Sequence, residues 1–220
     1  EEFMLNSSSI IFTIVAIIVA INALNMSDGI HGLAGCISLC TFLSLAYFSH
    51  IGGNQEGLII ACLMCAVIPP FLFYNLNIGN LSEKRIFMGD AGSMFLGLGI
   101  AWLLIDLSQG ESRSFSPVIA LWLFAFPLMD AISTVLRRII LGQSPLKPDL
   151  SHLHHILINL GLSSKLALIV IILFSLSMIL IGVIGELNKI LEWKMFVAFI
   201  VVFIIYSIFK NILISNANFK

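Results

Sequence analysis

The stretch from Leu166 to Gly185 reads LALIVIILFSLSMILIGVIG and contains no charged residue. A helix needs about 20 apolar residues to cross the hydrocarbon core of a bilayer. Six further segments have a similar composition and a comparable length. The predicted spans are 10–26, 33–49, 58–74, 91–105, 117–136, 166–185 and 195–214. The sequence therefore predicts an all-α fold, a polytopic membrane bundle of about seven transmembrane helices.

The composition of the whole chain supports this class of protein. Of the 220 residues, 59% are hydrophobic and 10% are charged, and the mean hydropathy is +1.06. These values exclude a soluble globular fold. The net charge of −1 provides no basic field for nucleic acid. No connection between spans is long enough for a soluble domain, so we expect residues 1–220 to form one membrane domain.

The few basic residues are distributed unequally between the two sides of the predicted bundle. If the spans alternate in direction, connections 27–32, 75–90, 137–165 and the C-terminus share one side. That side carries 8 Lys and Arg residues and the other carries 3. The positive-inside rule then places the first side in the cytoplasm, with the N-terminus outside and the C-terminus inside. The 8 residues are Lys84, Arg85, Arg137, Arg138, Lys147, Lys165, Lys210 and Lys220, and the 3 are Arg113, Lys189 and Lys194.

A first polar cluster ends the first span. Asn22, Asn25 and Asp28 recur at every third position, which places them on one helix face. Glycines follow at the same spacing from Gly29 to Gly35 and suit a tight turn or a close backbone approach. The asparagines could simply bond neighbouring helices while Asp28 ends the span. Convergence of two amides and an acid beside a glycine-rich turn favours a ligand site.

A second cluster, FMGDAGS at residues 87–93, begins the fourth span. Asp90 could be the N-cap of that helix, because Asp is a preferred capping residue. A carboxylate beside free backbone N–H groups could equally hold Mg²⁺ against a phosphate. The spacing alone does not choose between these two interpretations.

A third cluster occupies the 137–165 connection, which contains Arg137, Arg138, His152, His154 and His155. Guanidinium and imidazole groups together suit an anionic ligand such as a phosphate. A basic loop bound to anionic lipid headgroups and a zinc site made by the three histidines are the alternatives.

Asp130 is the ionisable residue placed most clearly within a span. An acid in the membrane is costly and is therefore a functional candidate, although a bond to a neighbouring helix explains it equally well.

These clusters, in this order, resemble the polyprenyl-phosphate N-acetylhexosamine-1-phosphate transferase family, which is glycosyltransferase family 4. The likeness covers nearly the whole chain and would correspond to the C-terminal two-thirds of such an enzyme. The matching stretches are NALNMSDGIHGL at 22–33, FMGDAGSM at 87–94, PLMD at 127–130 and SPLKPDLSHLHH at 144–155.

The resemblance implies transfer of a sugar-1-phosphate, most simply GlcNAc-1-phosphate, from a UDP-N-acetylhexosamine to undecaprenyl phosphate with release of UMP. Such a reaction initiates a lipid-linked cell-surface polysaccharide such as O-antigen. It would use Mg²⁺, with Mn²⁺ as an alternative, at the cytoplasmic face of the bacterial inner membrane. Membrane lipid is a further partner, and a homodimer is left open.

The resemblance also assigns roles to individual side chains. Asp90 is the expected metal ligand, and Asp28 is an acid of the polar centre. Phe87 is expected to stack near the uracil. The remaining assignments are His154 and His155 as catalytic residues that hold phosphate oxygens, and Asn22, Asn25, His31, Asn75, Arg137, Arg138 and His152 as substrate-binding residues.

The chain departs from the family pattern in two ways. Family members carry an adjacent pair of acids in an earlier cytoplasmic loop, and this sequence has no Asp-Asp pair, so we expect an N-terminal portion to be missing. His31 stands where the family usually has an acid near the nucleotide base. A polytopic transporter with Asp130 in its path, or a non-catalytic scaffold, is the alternative function.

Overall fold

The computed structural model describes residues 7–78, 86–110, 112–144 and 151–217. In these ranges all regular secondary structure is helical. The helices are α1 (Ser7–Ser27), α2 (Leu33–Gly52), α3 (Gln55–Asn75), α4 (Gly89–Asp106), α5 (Pro117–Leu123), α6 (Ala125–Ile140), α7 (Leu153–Asn159), α8 (Ser164–Leu187) and α9 (Glu192–Asn216).

Six of these helices are long and apolar enough to cross a bilayer, namely α1, α2, α3, α4, α8 and α9. The consecutive helices α5 and α6 pass the same test as one broken span with a bend of 83°. The predicted polytopic bundle is therefore confirmed, with seven spans if the broken pair counts as one. Which end faces the cytoplasm stays a prediction.

The fifth span is broken three residues before Pro127. Phe124 has φ −122° and ψ 28° and separates α5 from α6. Pro127 lies in the first turn of α6, where its missing N–H would have no partner within the helix. Pro69 and Pro70 lie inside α3, which continues to Asn75. The break of the fifth span thus falls in the turn before Pro127, where a proline would remove a hydrogen bond from a continuous helix, whereas Pro69 and Pro70 leave α3 unbroken.

The predicted 137–165 loop contains more helix than expected. Arg137 and Arg138 belong to the last turn of α6, which ends at Ile140. The histidines lie at the start of the short helix α7, which the sequence analysis did not predict. The part of the third motif from 145 to 150 lies outside the described residues, as do Lys84, Arg85, Lys147 and Lys220 from the charge count.

The antiparallel helices α1 and α4 pack closely, and this contact places the polar clusters. A Cβ added at Gly97 of α4 would lie 2.9 Å from the Cα of Ile21 in α1, so only glycine allows this approach. The C-terminal end of α1 consequently lies beside the N-terminal end of α4, where the first and second clusters begin.

Trp122 fixes the broken span against the last two helices. Its Nε1 donates to the backbone oxygen of Met195 at 3.3 Å, and its ring meets Phe199 edge-on at 5.5 Å between centroids. Gly182 of α8 accommodates the other side of the indole, because an added Cβ would lie 2.7 Å from the Cβ of Trp122. Helix α5 is thereby held against α8 and α9, and the histidine-bearing α7 is connected to the same group of helices.

Candidate active site

Asn25 joins the first cluster to the second. Its Nδ2 donates to Oδ1 of Asp90 at 3.1 Å and to Oγ of Ser93 at 2.9 Å. Ser93 in turn donates to backbone oxygens in the first turn of α4 and is completely buried. Met88, and not Asp90, occupies the N-cap position of α4. The interpretation of Asp90 as an N-cap is therefore wrong, and its exposed carboxylate remains available to a ligand.

Asp28 lies in the turn between α1 and α2, close to the same acid. Burial and the negative charge of Asp90 raise the pKa of Asp28 from 3.8 to about 6. A carboxyl group whose ionisation is disfavoured by a neighbouring carboxylate belongs to a site in which a cation would be stabilised. The turn is closed by Gly32, whose φ of +82° is strained for any residue with a side chain.

An aromatic pair borders this turn. The rings of His31 and Phe87 lie 5.0 Å apart between centroids and are tilted by 46°. Phe87 is 74% exposed, so one face of its ring is open to a planar ligand. Asn75 holds the backbone just before Phe87, because its Nδ2 donates to the backbone oxygen of Ile86 at 2.8 Å. The structure therefore gives Asn75 a positioning contact beside the predicted base site.

His154 brings the third cluster to the first. A Cβ added at Gly29 would overlap Nε2 of the His154 imidazole, so the absence of a side chain at Gly29 lets the ring lie directly on the turn. His154 is 1% exposed, and neither ring nitrogen has a hydrogen-bond partner among the residues that the structure describes. Burial and the neighbouring His155 lower the pKa of His154 to about 3. The ring is therefore neutral at pH 7, and its one N–H can donate to a ligand.

The other two histidines pack on this ring. His152 stacks on His154 at 5.9 Å with an interplanar angle of 9°, and His155 lies 4.1 Å from it. Nδ1 of His152 lies 2.8 Å from Oδ2 of Asp130. This contact, together with others from Asp130, favours the interpretation of Asp130 as a partner of neighbouring elements.

The contacts described for Asn22 and Arg137 lie outside this group, and Arg138 belongs to the last turn of α6. Asn22 is exposed, and its Nδ2 donates to the backbone oxygen of Ile18 in its own helix at 2.7 Å. Arg137 lines a separate cleft of about 370 Å³ between α6 and α9. Arg138 is buried in the last turn of α6.

The donor set fits one kind of divalent metal site. No group of three His, Cys, Asp or Glu side chains that could hold an ion occurs among the described residues, so a zinc site made by the histidines finds no support there. Mg²⁺ commonly binds through one or two carboxylates and takes its other ligands from water and substrate phosphates. The carboxylates of Asp28 and Asp90 fit this open type of coordination.

Ser93, Tyr206 and Lys210 are polar contributors that the sequence analysis missed. A usable signal existed for Lys210, which is the only charged residue between 195 and 214, just as Asp130 is the only one between 117 and 136. Lone opposite charges in two apolar spans predict an ion pair, since an unpaired charge there is costly. Lys210 is indeed buried against Asp130, and so it is not one of the loop charges among which it was counted.

Comparison with known proteins identifies one matching family model and a set of similar enzymes. Residues 2–108 match the family model described as glycosyl transferase family 4. The chain is 38% identical to undecaprenyl-phosphate alpha-N-acetylglucosaminyl 1-phosphate transferases of Yersinia pestis and Escherichia coli K12, over 94% of its own length and 56% of theirs. The enzyme of that name from Haemophilus influenzae is 37% identical over 93% of this chain and 58% of its own length. The chain thus spans little more than half the length of these relatives.

Proposed function

From the match of residues 2–108 to the glycosyl transferase family 4 model and the likeness to the relatives named above, we propose that this chain transfers N-acetylglucosamine-1-phosphate from UDP-N-acetylglucosamine to undecaprenyl phosphate and releases UMP. The observation that carries the proposal is the convergence of three distant motifs. Asn25 bonds to Asp90 across 65 positions of sequence, and His154 packs on Gly29. Two acids, a neutral imidazole and an exposed aromatic ring thereby meet at one end of a membrane bundle.

The reaction requires two anions to approach each other. An oxygen of the lipid phosphate attacks the phosphorus that carries the sugar, and the bond from that phosphorus to the diphosphate bridging oxygen breaks. The bridging oxygen leaves with the electron pair as part of UMP. Electrostatic stabilisation and positioning are the main contributions that a protein makes to such a transfer.

Asp28 and Asp90 are the residues that would hold the divalent cation, Mg²⁺ or Mn²⁺. When bound, such a cation offsets the negative charge of the diphosphate. Asn25 fixes the side chain of Asp90 through its hydrogen bond, so the carboxylate is oriented before substrate arrives.

The remaining residues contact the two ends of the UDP-sugar, the uracil and the diphosphate. His31 and Phe87 offer stacking and hydrogen bonding to the uracil. His154, neutral and buried, donates a hydrogen bond to a phosphate oxygen, while His152 and His155 hold its ring. Burial strengthens this donation because few water molecules compete for the oxygen.

The proposed setting is the bacterial inner membrane, with this site on the cytoplasmic side. The support is the asymmetry of basic residues, which persists at 7 to 3 when Lys210 is removed from the count of 8. Residues 1–220 would form a single membrane domain within the complete enzyme.

The test is an assay of the full-length protein in detergent. The protein is supplied with UDP-N-acetylglucosamine, undecaprenyl phosphate and Mg²⁺. UMP release is measured, and the mass of the lipid product is determined by mass spectrometry. Asp90→Asn should lower turnover by roughly two or more orders of magnitude. Asp106→Asn, at the other end of the same helix, serves as the matched control and should keep near-normal turnover. Absence of UMP release from the unmodified protein, or equal turnover of the two variants, contradicts the proposal.

A further inference from the structure

Asp130 and Lys210 form a buried ion pair between α6 and α9. Nζ of Lys210 lies 2.6 Å from Oδ1 of Asp130, and the two side chains are 3% and 2% exposed. The same ammonium group donates to the backbone oxygen of Asp130 at 3.1 Å, to Oγ of Ser133 at 3.1 Å and to Oγ1 of Thr134 at 2.6 Å. One turn earlier on α9, the hydroxyl of Tyr206 donates to Oδ1 of Asp130 at 2.8 Å.

The carboxylate of Asp130 also holds the start of the histidine helix. Its Oδ1 accepts from the backbone N–H of Leu153 at 3.1 Å, and its Oδ2 faces Nδ1 of His152 at 2.8 Å. With Asp130 ionised, Nδ1 of His152 donates this bond. One carboxylate therefore connects α9 to the first residues of α7.

The position of α7 depends on such an anchor. The helix has only seven residues, and helices this short are not stable without tertiary contacts. The His152 ring fixed by Asp130 stacks on His154, which in turn lies on Gly29. A continuous set of contacts thus runs from α9, through Asp130, to the imidazole of the candidate active site.

We propose that Lys210, assisted by Tyr206, is a positioning residue for the histidine segment 152–155. The ammonium group holds the Asp130 carboxylate in the orientation in which it binds Leu153 and His152, and thereby keeps His154 on the turn at Gly29. Buried ion pairs contribute little net stability compared with apolar residues of the same size, so a positioning role explains this pair better than stabilisation does. The catalytic consequence of this role rests on the function proposed above.

The direct test is hydrogen–deuterium exchange of the full-length protein in detergent, followed by mass spectrometry of peptides that cover residues 151–159. Lys210→Met removes the charge and keeps the length of the side chain. We expect exchange of the 151–159 segment to be at least about tenfold faster. Tyr206→Phe removes one hydrogen bond and should accelerate the same exchange about threefold to fivefold. Phe199→Leu, on the same helix but packed on Trp122, is the matched control and should leave exchange of this segment unchanged.

Transferase kinetics supply a second readout. Lys210→Met should lower kcat at least about tenfold and change the KM for the UDP-sugar less than about threefold, because Phe87 and His31 are held by other helices. If Phe199→Leu with a similar loss of thermal stability lowers kcat equally, the role of Lys210 is merely structural and the proposal fails.

The outcomes separate this proposal from the proposed function. Unchanged exchange at 151–159 in both Lys210→Met and Tyr206→Phe overturns the positioning role, whatever happens to activity. If Lys210→Met does not fold, Tyr206→Phe decides, since it keeps the ring that stacks on Phe174. Faster exchange in a protein whose unmodified form releases no UMP supports the positioning role and rejects the transferase.

Discussion

Substitution of Gly29 by Ala should disturb the contact with His154 while leaving the backbone conformation of the turn unchanged. The φ of Gly29 does not lie in the left-handed region, so the backbone itself accepts alanine. The added Cβ would lie 2.7 Å from both Cδ2 and Cε1 of His154, whereas ordinary contact begins at 3.4 Å. The imidazole must therefore withdraw by at least 0.7 Å (3.4 − 2.7), and its closer Nε2 requires more.

The size of the effect follows from this displacement. A misplacement of about 1 Å in a catalytic group can lower a rate by about 100-fold, so we expect kcat of Gly29→Ala to fall between about tenfold and 100-fold. Overpacking of this kind destabilises a fold by about 1–3 kcal/mol, which leaves the protein folded at the assay temperature.

The assay measures UMP release and the melting temperature of the full-length protein. Gly99→Ala is the matched control, because its Cβ would meet Phe42 at an ordinary 3.4 Å within a helix. The control should keep normal kcat. The reasoning is refuted if Gly29→Ala and Gly99→Ala turn over equally fast, since the His154 ring would then have no positional role.

Three further predictions concern the base site, the metal and the topology. His31→Ala should raise the KM for the UDP-sugar about fivefold, which is the equivalent of one neutral hydrogen bond, and should affect kcat less. Unchanged KM in both His31→Ala and His31→Asp would remove His31 from the nucleotide site. Removal of divalent ions with EDTA should abolish UMP release, and addition of Mg²⁺ should restore it. The melting temperature of the substrate-free protein should stay unchanged, because two carboxylates bind Mg²⁺ weakly without phosphates. A large fall in melting temperature would instead indicate a structural metal. Single cysteines placed in a cysteine-free background should be labelled from outside intact cells at position 112 and not at position 90, and the reverse pattern would invert the orientation.

The polar clusters show which parts of the site short-range sequence patterns can predict. Asn25 and Asp28 could be assigned to one end of the first span because helical spacing fixes which residues share a face. The sequence could not say whether Asp90 capped its helix, because capping and ligand binding use the same residue type. The position of Met88 at the start of α4 and the bond from Asn25 decided this question.

The sequence by itself determined the class of fold, because the length and apolarity of each span depend only on consecutive residues and on the thickness of the bilayer. It also determined the motifs, through residue type and spacing. Only the tertiary structure decided that the fifth span breaks at Phe124, that the histidines begin a short helix, and that His154 lies on Gly29. It also gave the geometry of the Lys210–Asp130 pair, which joins residues 80 positions apart in sequence. Such contacts join residues far apart in the chain, and local patterns do not encode the geometry in which a buried side chain meets a distant partner.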